Sequence, residues 1–156
     1  MANSHVIDPS LTSVDPNLTY RQVSQCRGAT RQLLLIDNEP DICVLVQAAL
    51  DEFKGWQVTT CCDPSTVDLA TSPQWDAILL EISVVRLTGI ALVPAFQFHP
   101  RTSHIPIVLL TSQVMARDYA RFEQMGVAGV IAKPFDPVVL GDQIAQLLNW
   151  APSRAR

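Results

Sequence analysis

Four short apolar runs in this chain end on residues able to do chemistry. Asp37, with Asn38 and Glu39 behind it, follows "QLLLI"; Glu81 closes "DAILLE"; Thr111 closes "IPIVLLT"; Lys133 closes "AGVIAK". Asp37, Glu81 and the Asn38 amide offer oxygen to a hard cation such as magnesium. Thr111 brings a hydroxyl and Lys133 a point positive charge, both suited to phosphate oxygens. Carboxylates, a hydroxyl and a lysine around a divalent ion make a phosphoryl-transfer arrangement. Any one of these residues alone reads equally well as a cap or a surface charge. Their recurrence at the ends of successive runs gives the set its meaning.

The elements that must position them follow from the hydrophobic pattern. Runs such as "LLLI", "AILL" and "IVLL" lack polar alternation and read as strands buried on both faces. "WQVTTC" reads as a further strand after the first. Between strands the period changes. From Pro40, Ile42, Leu45, Val46, Ala49, Leu50 and Phe53 share one helical face, and Gly55 stops the helix. Asp63-Pro64 predicts the start of a short second helix. A third is expected over Gly89 to Phe98, loosened by Pro94, and a fourth over Gln113 to Met125. Asp136-Pro137 caps a fifth, with Leu140, Ile144, Leu147 and Leu148 on one face. Five strands alternating with five helices predict an α/β fold, a parallel sheet covered on both sides. In such sheets functional groups gather at the carboxyl ends of the strands, where these residues lie.

Composition narrows the classes. At 156 residues the chain fits one domain, expected over residues 31–150, with an arm over 1–30 and a short tail over 151–156. Hydrophobic residues make up 48% and charged residues 17%, which is globular composition, and a net charge of −4 argues against a nucleic-acid partner. No apolar run approaches a membrane span, and the first 30 residues lack a signal peptide's apolar centre, so a cytoplasmic location is expected. Only six residues follow Trp150, so no DNA-binding segment is expected there. Four cysteines show no C-x-x-C spacing, and the three histidines lie far from them, so they read as reduced thiols. Adjacent Cys61 and Cys62 suit neither zinc nor an ordinary disulfide; a redox role for that pair is the alternative.

The arm contains "IDPSLT" at 7–12 and "VDPNLT" at 14–19, too few copies for a repeat fold, and reads as a flexible segment. Truncation at Thr30 is therefore expected to lower the melting temperature by less than about 5 °C, roughly 1 kcal/mol for a small domain. A larger drop in a thermal melt would make the arm part of the fold.

The motifs "LLLIDNEPDI", "WDAILLE", "TG" at 88–89, "IPIVLLTS" and "IAKPFDP" occur in one order, with Glu81 30 positions before Thr111 and 52 before Lys133. From Leu33 to about Trp150 the chain resembles the receiver domain of two-component response regulators. The resemblance implies a flavodoxin-like (βα)5 three-layer sandwich of strand order 2-1-3-4-5 and a cis peptide bond between Lys133 and Pro134. It also implies protein partners, a histidine kinase or another signalling protein. These would be met through a face built from the fourth helix, fifth strand and fifth helix, residues 113–150, with Arg117, Asp118 and Arg121 as a polar rim.

Departures from that pattern fall on its functional positions. Glu81 stands where the family carries its phosphorylated aspartate. The acidic pair that helps hold magnesium is Asp37-Asn38, one charge short, and Val130 replaces an aromatic switch residue behind Ala128 and Gly129. Magnesium held by Asp37, Asn38 and Glu81 should therefore bind weakly or not at all, and no other cofactor is expected. Glutamate copies the position of phosphoaspartate better than its charge, since a phosphoryl group carries about −1.5 to −2 and three acceptor oxygens. Glu81 is expected to pair with Lys133 and fix one state. Three readings follow: a non-enzymatic pseudo-receiver acting through protein contacts, a working phosphorelay receiver, and a haloacid-dehalogenase-like phosphatase. The last lacks the second aspartate its family places two residues after the first, where Glu39 stands. Val84, Val85 and Leu87 make the stretch after Glu81 unusually apolar for a loop, a contact patch or a segment tucked over the sheet.

Overall fold

A computed structural model of the chain describes residues 30–68, 74–82, 92–112 and 116–150. Five strands pair in parallel: β1 (Gln32–Ile36), β2 (Gln57–Cys61), β3 (Ala77–Glu81), β4 (Ile107–Thr111) and β5 (Gly129–Ala132), in the order β2-β1-β3-β4-β5. Four helices are described: α1 (Pro40–Lys54), α2 (Leu92–Phe98), α3 (Ala116–Gln124) and α4 (Pro137–Leu147). The expected sheet order and the cis Lys133–Pro134 bond are both present. Among the described residues no helix is long and apolar enough to cross a membrane.

Side-chain alternation along the strands divides the core into two layers. Leu33, Leu35, Val58, Leu79, Val108, Leu110 and Ile131 face α1 and α4, where they meet Cys43, Val46, Leu50, Leu140 and Ile144. Leu34, Ile36, Ile78, Leu80, Ile107 and Leu109 face the other way, against Val93 and Phe96 of α2 and Phe122 of α3. Strands covered on both faces need apolar residues at every position, which is why β3 and β4 are buried throughout. Leu147 and Leu148 pack on the first layer beside Leu140 and Ile144, as the spacing of α4 predicts.

Caps fix the helix ends. Pro40 occupies the first turn of α1, and Gly55 ends it in the left-handed region at φ 66°, its N–H returning to the carbonyl of Asp51 while the Trp56 N–H returns to that of Leu50. The Asp136 side chain accepts from Val138 N at 2.9 Å to start α4. At the amino ends of the strands, Arg31 bonds Asp76 at 3.3 Å and lies over Trp150 at 4.4 Å, while Trp150 meets Trp56 edge to face at 5.2 Å.

Two expectations are corrected. The segment beginning at Asp63-Pro64 forms a single 3-10 turn, Pro64–Thr66, rather than a helix. Asp63 caps that turn as expected, its Oδ1 accepting from Ser65 N and Ser65 Oγ, while Thr66 Oγ1 donates to Asp63 O, a local bond that competes with helix continuation. On α1 the buried stripe is Cys43, Val46, Ala49 and Leu50, while Leu45 and Phe53 are exposed. Ile42 to Val46 is apolar without a break, so spacing alone does not set the phase, and packing on the sheet selects Cys43. The helix containing Pro94 continues past it to Phe98. The arm, the tail over 151–156 and the apolar stretch with Val84, Val85 and Leu87 lie outside the described residues.

Candidate functional site

Register assembles the site. Ile36 pairs with Leu80 and Thr111 with Ala132, so the next rungs carry Asp37 beside Glu81 and Ser112 beside Lys133, one residue past Thr111. Lys133 N donates to Thr111 O at 2.8 Å, which continues the β4–β5 ladder by one residue and sets the root of the lysine side chain.

Lys133 reaches back across the sheet edge to three carboxylates. Its Nζ lies 2.6 Å from Asp37 Oδ2, 2.6 Å from Glu81 Oε2 and 3.1 Å from Glu39 Oε1. Asp37 uses both oxygens, since its Oδ1 accepts from Glu39 N at 2.8 Å, a turn that aims the chain into α1. Glu81 Oε2 meets the ammonium as a short buried ion pair. Asp37 and Glu81 are 0% and 1% exposed, and buried ions of this kind cost several kcal/mol each unless compensated. Lys133 supplies the compensation. Its own burial disfavours the charge, but the bonds from Asp37, Glu81 and Glu39 outweigh that and hold the ammonium above the ordinary lysine range. A raised lysine pKa stabilises the fold fully below about pH 10.4, the unfolded value, and the contribution fades only above it.

The structure thus unites Asp37, Glu81, Thr111 and Lys133 at one edge, with Thr111 fully buried. Asn38 is exposed, and the third carboxylate of the cluster is Glu39, with ligand oxygens of Asp37, Glu39 and Glu81 within 4.8 Å of one another. The signal for Glu39 was its place in the "DNE" run, two residues past Asp37, where a turn folds its side chain back. Three carboxylates are fitting donors for magnesium. Asp37, Glu39 and Glu81 would hold it, and it would supply positive charge to a phosphoryl oxygen. Lys133 already meets all three, so an entering ion competes with a resident cation.

Beside the cluster opens a cleft of about 290 Å³ lined by Glu39, Ile42, Leu45, Ser112, Lys133, Pro134 and Phe135. Leu45, left out of the core, forms part of this wall. On the far side of Asp37 the Cys43 thiol donates to Asp37 O at 3.4 Å. Burial, with Cys62 and Asp37 nearby, pushes that thiol up to about 12, so it remains S–H. Val130 packs half-buried against the second core layer. Along the expected partner face, Asp118 is half-buried and Arg121 exposed, while residues 113–115 and the Arg117 side chain lie outside the described residues.

Comparison with known proteins places this geometry. Residues 33–145 match the family model described as the response regulator receiver domain. A stress response regulator protein 1 of Meyerozyma guilliermondii is 25% identical over 108 residues, covering 68% of this chain and 50% of that protein. The chemotaxis protein CheY of Pseudomonas aeruginosa is 25% identical over 120 residues, 76% of this chain and 96% of that one. The chain therefore spans about half the length of the first relative and nearly all of the second. Among solved structures, the chemotaxis response regulator CheY4 of Vibrio cholerae superposes with a TM-score of 0.68 at 22% identity, covering 76% of this chain and 99% of that chain. That likeness is one of fold.

Proposed function

This chain belongs to the response regulator receiver domain family, and from that premise we propose that it signals through protein contacts without accepting a phosphoryl group. The observation that carries the proposal is Glu81. It occupies the acceptor position at the end of β3, is buried, and is held 2.6 Å from Lys133. Glutamate has one more methylene than aspartate, and a displacement of about 1 Å can cost on the order of a hundredfold in a step that depends on alignment. The ammonium that would otherwise meet an incoming phosphoryl oxygen is already satisfied by three carboxylates. We read the protein as a cytoplasmic pseudo-receiver with no catalytic residue of its own. It holds one conformation and meets another signalling protein, a histidine kinase being one such partner, through α3, β5 and α4.

Intact mass after incubation with acetyl phosphate and magnesium tests this. The expected result is an unchanged mass. A gain of one phosphoryl group would make the protein a working phosphorelay receiver. Turnover of acetyl phosphate without a lasting adduct would favour the phosphatase reading.

A further inference from the structure

We infer that Cys43 and Cys62 are a thiol pair that a hydroperoxide converts to an intrachain disulfide, a modification site on the outer side of Asp37. Their sulfurs lie 4.0 Å apart, in contact but unbonded. Strand parity explains why Cys62 and not Cys61 faces Cys43. Val58 points into the layer under α1, so the even-numbered residues that follow it point the same way and Cys61 points oppositely. The Cys61 sulfur is committed elsewhere, bonding Asp63 O at 3.0 Å and lying 3.4 Å from Thr66 Oγ1. The redox alternative of the sequence thus moves from adjacent Cys61 and Cys62 to a pair 19 positions apart.

The two thiols differ in access, which assigns their roles. Cys62 is exposed just past the end of β2 and takes the oxidant; Cys43, only 4% exposed, is sheltered from it. In the first step the Cys62 thiol attacks the hydroperoxide as its thiolate. An S–O bond forms, the O–O bond breaks, and the proton Cys62 has given up goes to the departing alkoxide or hydroxide, which is released as alcohol or water, leaving a sulfenic acid. In the second, the Cys43 sulfur attacks that sulfur. The S–S bond forms, the S–O bond breaks, and hydroxide leaves with the Cys43 proton as water. Two thiols lose two electrons in all, and the peroxide gains them. Closing from 4.0 Å to a bonded distance of about 2.05 Å falls mainly to Cys62, in a bend beyond the strand. The product removes the S–H that Cys43 donates to Asp37 O, so the modification touches the backbone of the cluster.

The test uses the full chain, treated with hydrogen peroxide, alkylated, and digested with trypsin for mass analysis. The expected product is a linked pair of peptides, one carrying Cys43 and the other Cys61 with Cys62, lighter than their sum by two hydrogens and reversed by dithiothreitol. Two of the four cysteines should escape alkylation. Cys61→Ser should keep the link. Cys62→Ser, at an exposed position that does not threaten folding, should abolish it. No link at all, a link that survives Cys62→Ser, a Cys62–Cys62 dimer, or Cys62 oxidised to sulfinic acid without a link would each overturn the inference.

Discussion

Lys133→Met is expected to destabilise the protein by about 3–5 kcal/mol, because it leaves two buried carboxylates without their cation. Methionine keeps the length and much of the volume of the lysine stem, so the loss reports charge rather than a cavity. For a domain of this size the melting temperature should fall by on the order of 15–25 °C. Glu81→Gln in the same background should recover part of the loss by removing one buried charge. Lys54→Met is the control: its partner Asp142 is largely exposed, and such pairs contribute about 0–1 kcal/mol. Urea melts of the three variants and wild type measure all of this. A Lys133→Met loss no larger than the control would mean that the three carboxylates do not depend on the lysine.

Asn38→Asp combined with Glu81→Asp is expected to gain magnesium-dependent labelling by acetyl phosphate, at least about a hundredfold above wild type. Glu81→Asp alone should restore little. It shortens the side chain to the acceptor length but leaves the ion to compete with Lys133 for Asp37 and Glu39. A carboxylate added at the exposed position 38 should tilt that competition towards the ion without disturbing the core. Asp37, Thr111 and Lys133 remain in place to complete the ligand and phosphate contacts. Beryllofluoride binding should follow the same order across the variants. The single and double changes separate acceptor geometry from metal charge. Wild type labelling as readily as the double variant would show Glu81 to be a working acceptor. Conformational output is expected to stay weak even in the labelled double variant, because Val130 is small and already packed, and cannot report a movement of Thr111.

Most of the sheet was legible because doubly buried strands leave unbroken apolar runs, and their ends stand out wherever Asp, Glu, Thr or Lys interrupts them. The Glu81–Lys133 pair was legible for the same reason, since strand-end charges in one parallel sheet share an edge. What escaped is what spacing does not encode. The phase of α1 was ambiguous within the five-residue apolar run Ile42 to Val46, so Cys43 was missed and Leu45 was placed inside. The Asp63 segment has its helix cap, but Thr66 bonds the Asp63 carbonyl and, among the described residues, the helix stops at one turn. Glu39 joined the cluster only because the Asp37 turn folds it back, a geometry that appears once β1 and α1 are both placed. The Cys43–Cys62 contact crosses from a helix to a strand end, and no local pattern links them.

The single ammonium at Lys133 also determines how this edge opens. It joins carboxylates that follow or end β1 and β3 to the residue that follows β5, up to 96 positions away in sequence. Loosening the segment before α4 by itself would strand that charge, so the edge cannot fray one strand at a time. The amide hydrogens of Asp37, bonded to Cys61 O at 3.1 Å, and of Lys133, bonded to Thr111 O at 2.8 Å, should then exchange with deuterium only when the whole domain unfolds. On the proposed reading, signalling by local opening would be closed to such an edge, and a partner would meet one fixed shape.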